Sequence, residues 1–410
     1  MKSNYKQLGQ FIRQVDVRNT EGKEENLLGV SVQKTFIPSI ANTVGTDFTK
    51  YKVVHRGQFT YIPDTSRRGD KIGIALLTDY DEGLVSNVYT TFEVVDKDEL
   101  LPEYLMLWFS RPEFDRYARF KSHGSVREVM DWNEMCKVQL PVPSVNVQQD
   151  IVNAYQTLTD RITLKRQIND NLLASMEAIL DKYYTDAFGD TKLSQISEFP
   201  IPDDWKIYQL SDLAECQSGY AFYKDGYNDD GIRIVDLGNI NRNAEFIQAK
   251  TDKYILPERV SAQKYDKFRL YKNDLVMVMT DRKSTMELLG KTGRIYTKEP
   301  LLLNQRVYRI RTNSLTSYLY VYLNSERVHI FHKSRALGTA QKYVNNGDIN
   351  IIPIVLPPKQ ILEKLLKLFD NSWTIMEHNL NEMNALSVLQ DQITLMLSLP
   401  FSSAALTASL

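Results

Sequence analysis

Two stretches of the chain place apolar residues three or four positions apart over about forty residues, the spacing of one helical face, and the regions between them do not. In 148–188 these residues are Ile151, Tyr155, Leu158, Ile162, Ile168, Leu172, Met176, Ile179 and Tyr183, with no Pro or Gly before Gly189. In 358–399 they are Leu362, Leu366, Phe369, Trp373, Met376, Leu380, Met383, Ile393 and Leu397, bounded by Pro357-Pro358 and Pro400. The spacing predicts two long helices, each about 60 Å at ~1.5 Å per residue. Their seams run through Leu158, Ile162, Leu172 and Met176 in the first and Phe369, Trp373 and Leu380 in the second. Packing the two as an antiparallel coiled coil buries both seams at once.

Between the helices, short apolar runs are bounded by Gly, Asp, Asn and Pro. Lys71-Ile-Gly-Ile-Ala-Leu-Leu, Val88-Tyr-Thr-Thr-Phe-Glu-Val-Val and Leu275-Val-Met-Val-Met read as strands. Pro102-Glu-Tyr-Leu-Met-Leu-Trp-Phe and Ser317-Tyr-Leu-Tyr-Val-Tyr-Leu read as short helices. The order of elements recurs, and so do residues. Arg56-Gly-Gln-Phe matches Lys272-Asn-Asp-Leu, Ser86-Asn-Val-Tyr-Thr-Thr-Phe matches Asn304-Gln-Arg-Val-Tyr-Arg-Ile, His123-Gly-Ser-Val matches Leu337-Gly-Thr-Ala, and Leu140-Pro-Val-Pro matches Leu356-Pro-Pro. The offsets stay between 214 and 218, and a long helix follows each copy. Such a register marks internal duplication. The expected architecture is α+β: a globular domain at 1–147, a spacer helix at 148–188, a second globular domain at 189–357, a second spacer helix at 358–399 and a tail at 400–410. With antiparallel helices, the two domains are related by a pseudo-two-fold rotation, the symmetry of duplex strands.

Composition narrows the class. Of 410 residues, 43% are hydrophobic and 25% charged, which suits several folded domains. No run approaches a membrane span and the start lacks a secretory signal, so a cytoplasmic location is expected. Cys136 and Cys216 lie outside any CxxC or Cys/His set, so they are expected to be buried thiols, with no disulfide and no metal. The net charge of −1 hides a distribution. Residues 1–147 hold 19 Lys/Arg against 20 Asp/Glu, and 200–357 hold 23 against 18. The stretches 148–199 (5 against 8) and 358–410 (3 against 5) are acidic, so if a nucleic acid is bound, the globular domains bind it.

Catalytic signatures are missing. Gly290-Lys-Thr resembles the end of a phosphate loop, but Thr285 stands where its first glycine belongs. No GxGxxG, HExxH, GxSxG or Asn/Asp-Pro-Pro-aromatic motif occurs, and no catalytic residue is assigned. Residues suited to DNA do recur at matching places. Tyr61, Arg67, Arg68 and Lys71 surround one turn, and Thr280, Arg282 and Lys283 its counterpart. Asn87 with Tyr89, and Gln305 with Arg306, open the next strand. Asn and Gln can bond two edges of adenine, and Arg two of guanine. A third pair of sites is Lys121, Ser125 and Arg127 against Lys333, Arg335, Thr339, Gln341 and Lys342, where glycine permits close approach to phosphate. Tyr220, beside Phe222 and Tyr223, either stacks on DNA or belongs to the core.

Trp205-Lys-Ile-Tyr-Gln-Leu-Ser-Asp-Leu-Ala, Leu303-Asn-Gln-Arg-Val and Gly338-Thr-Ala-Gln-Lys-Tyr-Val, followed by Leu356-Pro-Pro, carry a family resemblance. With the looser copy from Tyr5-Lys-Gln-Leu-Gly through Gly124-Ser-Val-Arg to Leu140-Pro-Val-Pro, the chain resembles the specificity subunits of Type I restriction-modification systems over nearly its full length. It departs from the family's Pro-Pro-x-x-Glu-Gln at the start of each long helix. The resemblance implies a non-catalytic subunit of a phage-defence complex, with each domain reading one half of a bipartite double-stranded DNA target. It also implies helices that set the spacing and dock two modification subunits. S-adenosylmethionine and ATP/Mg would serve those and the restriction subunits, and this chain would bind no cofactor. Competing readings are a coiled-coil protein scaffold and part of a bifunctional methyltransferase or nuclease.

Overall fold

The computed structural model describes residues 5–39, 45–65, 71–122, 128–222, 226–248, 253–260, 263–282, 285–339 and 341–397. The chain forms two compact units, one of Met1–Thr163 with Met383–Leu410 and one of Leu164–Glu382. Each mixes helix and strand, and each contains a segment of both long helices, Val145–Phe188 and Lys359–Met396. The first helix begins three residues ahead of the apolar periodicity.

In the first unit Tyr5–Gln7 pairs with Gln139–Pro141, and an all-antiparallel sheet runs in the order Ile12–Val15, Thr90–Val94, Phe59–Tyr61, Ile74–Leu76. In the second, Lys206–Gln209 pairs with Pro353–Leu356, and the sheet order is Glu215–Ser218, Val307–Arg311, Leu275–Val278, Thr292–Arg294. The expected duplication is present down to single hydrogen bonds. Leu8 N–H donates to Val138 O at 2.8 Å, as Leu210 N–H does to Ile352 O at 3.0 Å. Tyr104 and Tyr318, each on the first turn-rich helix after the sheet, donate their hydroxyls to Pro141 O at 3.0 Å and Val355 O at 2.5 Å. The same left-handed turn holds Gly57 (φ 85) and Asn273 (φ 77), residue types that tolerate this backbone. The next residue closes it, with Gln58 Oε1 accepting His55 N–H at 2.8 Å and Asp274 Oδ2 accepting Tyr271 N–H at 2.7 Å.

The core of the first unit is aromatic. Phe59 stacks on Phe92 at 4.8 Å between centroids, Phe109 packs edge-on against both, and Phe114 lies tilted against Phe109 at 4.7 Å. Trp108, Met130 and Leu140 complete it with Ile151 and Leu397 from the long helices. Gln148 is fully buried and accepts Leu101 N–H at 2.9 Å, while its amide donates to Glu99 O and Pro143 O, both at 2.9 Å. One side chain thus fixes the start of the helix to the globular part. In the second unit Arg294 performs the anchoring. It lies over Trp373 at 4.4 Å and donates to Ser317 Oγ at 2.7 Å, and Ser317 in turn donates to Asp370 of the second long helix.

The helix seam differs in phase from the expectation beyond Ile162. Leu158 and Leu172 are half-buried and Ile179 is exposed, whereas Leu173, Met176, Leu180 and Tyr184 are buried. The change passes through a polar position that hydrophobic periodicity cannot register. Within the second unit Asn169, 1% exposed, accepts from Asn379 at 2.8 Å, and Lys165 pairs with Glu382 at 2.9 Å. Ascending one helix descends the other, so these segments run antiparallel. Phe369, Trp373, Met376 and Leu380 are buried as expected, with Leu365 replacing Leu362 and Leu366. Among the described residues no helix is long and apolar enough to cross a membrane.

Other expectations change in physical detail. The run from Val88 becomes a strand only at Thr90, because Ser86–Tyr89 turns, with Tyr89 N–H donating to Ser86 O at 3.0 Å. Cys136 and Cys216 are half-buried free thiols, not fully buried ones, and burial still raises both, Cys216 to about 11.

Candidate nucleic-acid interface

In the second unit three expected segments converge. Thr280–Asp281 pairs with Lys342–Tyr343, and Val344 N–H donates to Met279 O at 3.0 Å. Leu337 and Tyr343 exchange backbone bonds of 2.9 and 3.0 Å, closing a hairpin over Gly338, Thr339, Gln341 and Lys342. Only glycine fits at 338: its φ is +89 and a Cβ would lie 2.2 Å from Gln341 O. Against this hairpin stands the turn Gln305-Arg306, joining the buried strand Leu301–Leu303 to Val307–Arg311. Arg306 adopts φ 71, a strained backbone for an arginine, and its carbonyl accepts Met279 N–H at 3.0 Å. Gln305 N–H donates to Tyr220 O at 2.9 Å, and Gly219 lies so close to Asn304 that a Cβ would meet its carbonyl at 1.6 Å.

The result is an open cleft with Gln305, Arg306, Thr280, Tyr343, Asn345 and Asn346 on its walls. Arg306, Lys333, Thr339 and Arg282 are exposed, and Gln305, Gln341 and Lys342 half-buried. The buried Thr280 Oγ1 and Gln341 Nε2 have no protein partner, so each retains a free hydrogen-bonding site. Arg335 is drawn inward instead, stacked over Phe331 at 4.6 Å and paired with Asp348 at 3.3 Å. Tyr220 sits in an aromatic cluster with Phe222, Tyr265 and Phe268, at 4.9–5.6 Å between centroids, which favours its core reading. Tyr343, Asn345 and Asn346 were not among the expected residues. Asn345 also caps a short helix through Asp348 N–H at 2.9 Å, so its sequence signal was that of an ordinary turn.

The first unit repeats the cleft with different chemistry. Asp64 bridges Val129, Thr65 N–H donates to Glu128 O and Met130 N–H to Pro63 O, both at 3.0 Å, matching the pairing around Thr280 and Tyr343. Ile62, Pro63, Asp64, Val88, Tyr89 and Val129 line it. Asn87 and Lys71 are exposed, Tyr89 half-buried, and Lys121 half-buried with its ammonium 5.8 Å from the ring of Phe120. Tyr61 is overturned as a DNA contact. It is fully buried, its hydroxyl donates to Met130 O at 3.4 Å, and burial pushes its ionisation far up. Alternation along a buried strand points it into the core. Arg67, Arg68, Ser125, Arg127 and Lys283 lie outside the described residues.

Residues 202–385 match the family model described as the Type I restriction modification DNA specificity domain. The chain is also 23% identical over 302 residues to the MjaVIII specificity subunit of Methanocaldococcus jannaschii, a Type I restriction enzyme component, covering 71% of this chain and 68% of the relative. The MjaIX specificity subunit of the same organism is 21% identical over 323 residues, covering 73% and 69%. A crystal structure of a Type I restriction-modification S subunit from M. genitalium superposes with a TM-score of 0.49 and 12% identity, over 97% of this chain and 96% of that one. The resemblance read from the sequence is met by the two curated relatives, and the matched stretch 202–385 contains the whole second cleft.

Proposed function

We propose that the chain is the non-catalytic DNA specificity subunit of a Type I restriction-modification assembly. The observation that carries this reading is the match of residues 202–385 to the specificity-domain family, in a stretch whose sheet order and cleft recur in the first unit. On this reading 1–147 and 189–357 each read one half of a bipartite duplex target. The helices at 148–188 and 358–399 set the spacing and dock two modification subunits, and the tail follows from 400. Methyl transfer from S-adenosylmethionine and ATP-driven cleavage belong to the modification and restriction partners, in the cytoplasm. The acidic balance of both helices supports a place away from phosphate, and the exposed cations at the rim of the second cleft support contact with it.

The test is a binding titration of the chain with its modification subunits against duplexes of defined and random sequence, with methylation profiling of a host that carries them. Selective binding to a split target is expected. Binding that never becomes selective favours a protein scaffold, and methylation by the isolated chain favours the enzyme. Binding should also weaken steeply with salt, and alanine at Lys342 should reduce the slope by about one phosphate contact. Alanine at Arg67 and Arg68 should flatten it in the same way, and an unchanged slope would move that pair off the DNA.

A further inference from the structure

The two clefts occupy the same place in the duplicated fold but differ in what they present. At the turn where the second unit exposes Arg306, the first exposes Val88, 67% accessible. Where Lys342 faces Asp281 across the strand pair, the first unit has Glu128, held in an ion pair by Arg119. At that point the first unit therefore offers no free cation to a phosphate. Its turn is firmly built: Tyr89 N–H closes it at 3.0 Å and the buried Lys52 ammonium donates to Tyr89 O at 2.9 Å. Pro63 and Val129, both half-buried, lie in the same cleft as Val88, which Asp64, Ser86 and Tyr89 also line, so the exposed apolar group it offers is Val88 itself. Among the base edges of a duplex major groove, one apolar group is displayed, the C5-methyl of thymine.

We propose that the two units read DNA by opposite chemistry: the second by hydrogen bonds from Gln305 and Arg306 to purine edges, the first by apolar contact between Val88 and a thymine methyl group. This rests on the proposed function and adds the base chemistry of each half-site. Arg306 sits in a turn pinned on both sides by backbone bonds, which presets the fork of donors for the two acceptors of guanine. Val88 contributes no hydrogen bond and needs none, because removing one methyl group and one valine surface from water is its whole contribution.

The complex with modification subunits would be assayed on its profiled target, with deoxyuridine replacing thymidine, or 7-deazapurines replacing purines, in one half-site at a time. Deoxyuridine should weaken binding about threefold to fourfold in one half-site, the worth of a single methyl group, and Val88→Ser should erase that difference. In the other half-site 7-deazapurines should weaken binding about tenfold, and Arg306→Ala should remove this sensitivity. Both side chains are exposed, so neither variant opens the core. The inference is overturned if binding is selective yet indifferent to deoxyuridine, if no thymine occurs in that half-site, or if Val88→Ser retains the full loss. Binding without any sequence preference overturns the proposed function as well.

Discussion

Arg13 pairs with Glu93 across adjacent strands of the first unit, and Glu93 also accepts from Gln58 at 2.8 Å. At the same places the second unit has Glu215, Arg311 and Asp274, with Arg311 donating to both Asp274 oxygens at 2.7 Å. The signs are exchanged and the geometry is kept. Sheet register and the backbone turn beneath these residues fix where they meet, so either assignment of charge satisfies the pair. The clefts follow the opposite rule: there the backbone is also kept, but nothing in the fold requires the exposed side chains to compensate one another. Polarity has therefore diverged, with Val88 and Glu128 on one side and Arg306 and Lys342 on the other. Divergence is free where a side chain faces out of the fold and constrained where it faces its own sheet.

The comparison can be pressed hardest through His332. It is 1% exposed, both ring nitrogens lack partners, and burial lowers its pKa to about 3. A folded pKa below the unfolded value contributes stability that is present above pH 6.5 and lost as the pH falls toward 3. The loss is up to about 4–5 kcal/mol. The first unit has no buried histidine among its described residues, so hydrogen exchange on acidification should show the second unit opening first, and His332→Phe should suppress that difference. Glu177, raised to about 7 by burial, acts in the other direction, since its contribution falls as pH rises from 4.5 to 7. Glu177→Gln should therefore make the acid sensitivity of the second unit steeper.

Next in size is the asparagine pair. Asn169→Ala leaves the buried Asn379 Nδ2 without its acceptor, while Asn379 Oδ1 still accepts from Lys165, and should lower the stability of the second unit by about 1–3 kcal/mol in denaturant titration. Thr159→Ala, which removes the half-buried contact to Gln390 at 2.8 Å in the first unit, should cost less than about 1 kcal/mol. Of similar weight, Arg306→Ala should weaken binding of the assembled complex about tenfold and relax one half-site, while Asn87→Ala changes the other less. The smallest effect is expected from exchanging Arg13 and Glu93 to Arg13→Glu with Glu93→Arg, which copies the second unit's polarity. Thermal unfolding should move by less than about 1 kcal/mol, because the pair is largely solvent-screened.

Much of this was legible in the chain. Offsets of 214–218 located the duplication, and the recurring Asn87-Val-Tyr and Gln305-Arg-Val segments pointed to the turns that border each cleft. Tyr61 misled because an aromatic at a strand end looks the same whether it faces groove or core, and the pleat decides. The seam was misread past Ile162 because the buried Asn169 interrupts a count of apolar residues. Gln148 and Arg294 were invisible as anchors, since a glutamine at a helix start and an arginine in a strand carry no local mark of burial.

The sequence by itself determined the repeat, the two long helices, the α+β class and the uneven distribution of charge, because periodicity and register are properties of order along the chain. Tertiary structure alone decided which side chains share a cleft. Thr280, Gln305, Arg306 and Lys342 span more than sixty positions and meet only because antiparallel pairing and two close glycine approaches, at 219 and 338, fold their turns onto one another. It also decided that Val88 is a tip and not a strand residue, since the hydrogen bond that turns the chain at Ser86 is a contact that no pattern of apolar positions encodes.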